Sequence, residues 1–150
     1  MRVVRVQRGD FDAAAEAAAL TAGRVDVGAV VTFVGLFRDD GGHLAALELE
    51  HYPGMAETEM ERVAAEAEAR WPLAGVVAIH RFGAIRPGEQ IVMVAAASAH
   101  RAAAFAAAEM LMDYLKTRAP FWKRAIQVDG TSRGWVAAKE ADDSAAERWA

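Results

Sequence analysis

GVVAIHRFGAIRPGEQIVMVAAA, residues 75–97, reads as strand, turn, strand. Residues 75–82 and 90–97 are apolar runs of strand length, and Pro87-Gly88 between them is a turn signal. A helix follows from about residue 100 to residue 117. Pro120 stops it, because proline lacks the N–H a helix needs and drives the residue before it into extended backbone. Residues 121–128 then form a short strand, Asp129-Gly130 a turn, and residues 135–137 close the body ahead of a polar helix, expected to fray, that runs to Trp149. In the other direction, Pro53-Gly54 opens a helix whose apolar positions Met55, Met60, Val63, Ala64 and Ala67 form one stripe, ending near Arg70. Residues 27–37 and 44–52 are β-type runs, expected to pair as a hairpin with Arg38 at its mouth. Residues 2–7 alternate as a strand, and Gly9-Asp10 turn and cap an alanine-rich helix that reaches Gly23 as its C′ glycine. This irregular order predicts α+β architecture and not a doubly wound sheet.

The chain has 150 residues, the size of one compact domain. With 54% hydrophobic and 25% charged residues it has a globular composition. Its 17 basic and 21 acidic residues leave a formal charge of -4, so the broad positive footprint of a duplex nucleic-acid binder is missing and any basic site is local. Cysteine is absent, which excludes disulfides, thiolate metal sites and a cysteine nucleophile. Any sulfur chemistry must therefore use sulfur brought from outside. The opening MRVVRVQRGDFD is not a secretory signal, and no apolar window approaches the roughly 20 residues that span a bilayer. A cytoplasmic protein with no membrane contact is the expectation.

Against this acidic background, KTRAPFWKR at 116–124 places four cations around a proline and two large aromatics. Pro120, Phe121 and Trp122 fix backbone direction and bury area, which an ordinary solvated charge run does not do. The segment reads as an anion site. Lys116 and Lys123 lie on either side of the break, so a chain reversal there lets two amines converge on one anion, and their mutual repulsion or burial could prepare a proton donor. An equally weighted alternative has these cations complementing the helix dipole, with their stems covering Trp122.

Other candidates are weaker alone. In Ser98-Ala99-His100-Arg101, between a strand and a helix, free amide donors beside His100 and Arg101 suit a phosphate or carboxylate, although Ser98 as a cap and His100 in the core would explain the same residues. Arg38, in a loop with two glycines, can reach a ligand or pair with Asp39 or Asp40. His80-Arg81 reads as structural, and His51-Tyr52 as packing or hydrogen bonding. No histidine pair has metal spacing, and neither a Walker-type loop nor a G-x-S-x-G elbow is present. Electrostatic stabilisation and proton transfer are the chemistry this residue set supplies.

Five blocks, GAVVTFVGLFR (28–38), LELEHYPGMAE (47–57), IHRFGAIRPGE (79–89), SAHR (98–101) and YLKTRAPFWKR (114–124), together strongly resemble the MoaE family, the large catalytic subunit of molybdopterin synthase. The likeness is collinear from residue 28 to residue 149 within a single 1–150 domain; residues 1–27 are less diagnostic and 138–150 form a polar tail. The resemblance implies an α/β hammerhead-type core with mixed and antiparallel strands, an additional small β subdomain, and a homodimer within a heterotetramer. The implied partner is a small ubiquitin-like sulfur-carrier subunit, MoaD-like, whose C-terminal thiocarboxylate enters a pocket of the large subunit. The implied activity is that of a sulfurtransferase with no cofactor of its own, building the dithiolene of molybdopterin on cyclic pyranopterin monophosphate.

Carried over residue by residue, Lys116 and Lys123 match the family's essential lysines, Arg38 the loop arginine, and His100 and Arg101 the substrate-pocket pair, which in similar proteins completes the site across the dimer. Arg133 is an approximate match. Phe33 and Phe121 could shape the pocket or docking groove, with core packing the favoured role for both. Two departures stand out: Ala125 where many relatives have Glu, and Asp39 where some have Asn. The competing readings are a non-catalytic carrier-binding scaffold of the same fold and a stand-alone phosphate-ligand binder.

Overall fold

The computed structural model describes residues 1–39, 41–132, 134, 135 and 140–150. Its elements run β1 (Arg2–Gln7), α1 (Ala13–Ala19), β2 (Ala29–Leu36), β3 (Leu44–His51), α2 (Met55–Arg70), β4 (Leu73–Arg81), β5 (Gly83–Ile85), β6 (Gln90–Ser98), α3 (Arg101–Thr117), β7 (Phe121–Gln127) and α4 (Glu140–Glu147). The strands form two sheets. In the first, ordered β1-β4-β6-β2, β1 runs parallel to β4 and the other pairs are antiparallel. The second is antiparallel in the order β5-β3-β7.

The central strands β4 and β6 are buried on both faces, which is why residues 75–97 are apolar in runs and do not alternate. Val76 and Ala78, with Val92, Val94 and Ala96, face α2 and α3, where they meet Met60, Val63, Ala107 and Leu111. Their neighbours Val77, Ile79, Met93, Ala95 and Ala97 face the other way, against Phe11 and Leu20. A separate small cluster of Phe37, Leu47, Leu49 and Ile85 holds the second sheet together. The α+β class and the small β subdomain both hold.

Three local expectations change. β2 and β3 do not form a hairpin: β2 pairs with β6 and β3 with β5 and β7, so the 37–43 loop crosses between sheets. Gly41 and Gly42, at φ +95° and +76°, give that loop the left-handed backbone it needs to leave the first sheet. The first helix is capped by Asp12, whose Oδ1 accepts the Ala15 N–H at 3.0 Å, and it ends at Leu20 well before Gly23. Asp10 instead accepts from the Phe11 N–H and the Gln90 side chain.

The C-terminal helix is anchored rather than frayed. The Trp149 indole N–H donates to Asp113 Oδ2 at 2.6 Å, Arg148 bonds both Glu109 and Asp113, and Ala146 is buried. These contacts tie the tail to α3. Of the segment 135–137, Val136 and Ala137 lie outside the described residues.

Candidate active site

The four cations of the 116–124 segment fall into two pairs, the arginines and the lysines, each with one member on either side of Pro120. Arg118 lies 3.7 Å from Glu66 and stacks its guanidinium 3.7 Å over the Tyr114 ring. Arg124 pairs with Glu48 on β3 and lies 4.5 Å over Trp135. These two are accounted for by ion pairing and ring stacking. Lys116 and Lys123 are placed differently.

Lys116 is exposed in the last turn of α3 and lines a pocket of about 90 Å³ at the edge of the first sheet. The walls are Phe33, Gly35 and Leu36 from β2, His80 from β4, Ile91 and Val92 from β6, and Met112 and Leu115 from the same helix. The helix C-terminus favours the ammonium, while the mostly apolar walls strengthen its field. Phe33 is thus a pocket wall, 44% exposed, and not the core residue expected.

Lys123 lies opposite Leu49 in the β3–β7 register, two residues beyond the His51–Phe121 pair. Directly opposed residues share a face, so Lys123 shares one with Leu47, Leu49, His51 and Phe121, the face that holds the buried cluster of the small sheet. Phe121 in turn stacks on His80, centroids 3.8 Å apart, and His80 belongs to the Lys116 pocket. The reversal therefore puts Lys123 two residues, about 7 Å of backbone, from Phe121, whose ring stacks on a wall of the Lys116 pocket. Packing also holds for Phe121, which lies against the main core.

Arg38 is exposed immediately after buried Phe37 and two residues beyond Leu36, a pocket wall. Asp39 accepts the Leu44 N–H at 3.2 Å and so helps to close the loop. His100 is the N-cap residue of α3, and both it and Arg101 are exposed. Ser98 is not that cap; it is buried and donates its hydroxyl to the Pro72 carbonyl at 2.7 Å. Arg101 and Lys116 stand at opposite ends of α3, fifteen residues or about 22 Å apart. One chain therefore does not bring His100 and Arg101 to its own lysine. Arg133 lies outside the described residues. Among the described residues, no cluster of His, Asp and Glu could hold a metal ion, and no helix is long and apolar enough to cross a membrane.

His80-Arg81 is structural as expected, and His80 in addition lines the Lys116 pocket. Arg81 is structural: it is 6% exposed, and its guanidinium reaches the Arg8 and Gln90 carbonyls and Glu89. His80 is a pocket residue. The available signal was period two along β4, since His80 continues the row of Val76 and Ala78 toward α3. His51 packs as expected, 4.5 Å from Phe82 and 5.9 Å from Phe121, although its buried Nδ1 has no partner among the described residues.

The family model described as MoaE protein matches residues 6–118. The chain belongs to the MoaE family. The match spans Arg38, His100, Arg101 and Lys116 and ends before Lys123. The molybdopterin synthase catalytic subunit of Mesorhizobium japonicum is 68% identical over 146 residues, covering 97% of this chain and 92% of its own. That of Rhizobium meliloti is 60% identical over 146 residues, with 97% and 94% covered. Among solved structures, the MoaE protein of Burkholderia ambifaria superposes with a TM-score of 0.85 at 51% identity, covering 99% of this chain and 98% of that one. The molybdopterin synthase of Staphylococcus aureus superposes at 0.77 and 28% identity, with 88% and 95% covered. The MoaE resemblance carried by the five sequence blocks therefore holds along nearly the whole chain, including the first 27 residues that looked least diagnostic.

Proposed function

We propose that this chain is the catalytic subunit of molybdopterin synthase. It acts as a cytoplasmic sulfurtransferase that moves sulfur from the thiocarboxylated C-terminus of a small carrier subunit to cyclic pyranopterin monophosphate. The observation that carries this reading is exposed Lys116 in an apolar-walled pocket, with Lys123 on the same face of β7 as Phe121, whose ring stacks on the pocket's His80. Both reactants are anions, so bringing them together requires concentrated positive charge at one place.

In each transfer the thiocarboxylate sulfur forms a C–S bond at a carbon of the pterin side chain as a C–O bond to that carbon breaks, its oxygen leaving as water or with the opened cyclic phosphate. Water then attacks the carrier's acyl carbon, breaking its bond to sulfur, releasing a carboxylate and leaving the sulfur on the pterin. Two rounds supply the dithiolene. Lys116 stands at the carrier's terminal carbonyl, where it offsets the charge developing on oxygen. Lys123 serves the pterin side as proton donor or neutralising charge. Arg38, His100 and Arg101 hold the phosphate and pterin, with Arg133 as a further candidate, and no resident cofactor takes part.

Because Arg101 sits about 22 Å from Lys116 along one helix, the working site needs His100 and Arg101 of a second copy. A homodimer with one carrier at each end meets that need. The exposed side chains of Phe33 and Leu36 beside the pocket offer the carrier tail an apolar approach.

Reconstitution with thiocarboxylated carrier and cyclic pyranopterin monophosphate tests the reading. Lys116→Ala and Lys123→Ala should each lower the rate by about a hundredfold or more, the scale of losing a charge-stabilising donor. Dithiolene formation at the parental rate by the double variant would refute the assignment. A parent that captures the carrier without transferring sulfur would replace it with the scaffold reading.

A further inference from the structure

His80 shares the Lys116 pocket, and its ring is held from two sides. Nδ1–H donates to the carbonyl of Arg81 at 2.7 Å, and that residue is itself fixed by its three guanidinium contacts. One face of the imidazole lies on Phe121, 3.8 Å between centroids and 14° from parallel. The direction of the bond to a carbonyl sets the tautomer: Nδ1 carries the proton, and Nε2 presents a lone pair. Nε2 has no partner among the described residues.

We propose that His80 is a positioning residue for sulfur transfer: when the carrier tail enters the pocket, the Lys116 ammonium turns to the Nε2 lone pair of the neutral imidazole, and that hydrogen bond holds the amine toward the carrier's terminal carbonyl. The role rests on the proposed function of Lys116. A long lysine side chain at a helix end samples many rotamers, and a fixed acceptor in the pocket wall selects among them.

The protonation state agrees. Burial pushes His80 down to about 4, the Arg81 carbonyl partly offsets this, and the charges of Lys116 and His51 push it further down. The titratable groups that bear on it are Lys116 from α3 and His51 from β3, while β7 supplies Phe121, and β2 and β6 supply uncharged wall. At neutral pH the imidazole accepts a hydrogen bond from an ammonium without repelling it.

The test compares His80→Phe, which keeps a ring on Phe121 but no acceptor, with His80→Gln, which returns an acceptor near the Nε2 position. Each variant is assayed with thiocarboxylated carrier and cyclic pyranopterin monophosphate. The expected result is a kcat lowered roughly ten- to a hundredfold in His80→Phe, as for loss of a hydrogen bond to a charged group, with the KM for carrier little changed and most of the rate restored in His80→Gln. A nitrogen-15 titration of the imidazole supplies a reading independent of turnover: Lys116→Met should raise the His80 midpoint, since the ammonium that lowers it is gone.

A His80→Phe enzyme with parental kcat overturns the inference, as does a His80 midpoint that stays put in Lys116→Met. If Lys116→Met transfers sulfur at the parental rate, the catalytic reading of Lys116 fails and this role fails with it. That outcome is distinguished by a His80 midpoint that still moves.

Discussion

Mixing two inactive variants should restore activity. Arg101 and Lys116 lie at opposite ends of a 17-residue helix, about 22 Å apart along its axis, too far to hold one phosphate-bearing heterocycle between them. Each site in a symmetric dimer must then combine Lys116 of one copy with Arg101 of the other. In a Lys116→Ala homodimer every site lacks its lysine, and in an Arg101→Ala homodimer every site lacks its arginine. A mixed dimer differs: one site collects both defects and the other collects neither. Random exchange of equal amounts gives mixed dimers as half of the population, each with one intact site of two, so the mixture should recover about a quarter of parental turnover. The assay is dithiolene formation after co-expression of two differently tagged subunits, with the mixed dimer purified through both tags. A purified mixed dimer no more active than either homodimer would show that the two residues do not cooperate across subunits.

Two further outcomes follow from the packing. Above about pH 6.5 His80 is neutral folded and unfolded, and its contribution to stability is flat; between 6.5 and about 4 the unfolded chain takes up a proton that the folded one does not, so stability falls as pH falls. The difference in urea unfolding free energy between the parent and His80→Phe should therefore shift against the parent by up to about 3 kcal/mol across that window, and a pH-independent difference would contradict the buried neutral imidazole. Gly28→Ala should cost about 1–3 kcal/mol in the same measurement, because a Cβ there would overlap the Ala99 carbonyl oxygen just ahead of the His100 cap. It should also weaken substrate binding if His100 and Arg101 hold the phosphate; unchanged KM and stability together would count against both statements.

The central strands, α2, α3 and the stop at Pro120 were legible in the sequence because their signals are local. Apolar runs, a helical stripe and a proline act over a few residues wherever the chain later goes. The two lysines astride the break were legible for the same reason: four cations packed around a proline and two large aromatics stand out within nine residues. Pairing partners were not legible. β2 and β3 each read correctly as strands, but a strand's pattern names its buried face and not the strand beside it, and a loop with Gly41 and Gly42 serves a crossing as well as a hairpin. The tail read as fraying because its composition is polar, whereas its order comes from Asp113, 36 residues before Trp149.

By itself, then, the sequence determined the class of the fold, the family blocks and the two lysines proposed for the site, since each is written in residue type and short spacing. Tertiary structure decided which sheet each strand joined, which cations were tied up in Arg118–Glu66 and Arg124–Glu48 pairs, and that His80 stands in the wall beside Lys116. The physical reason is distance along the chain. Those outcomes depend on contacts between segments tens of residues apart, whose free energies are settled only when the whole core packs at once.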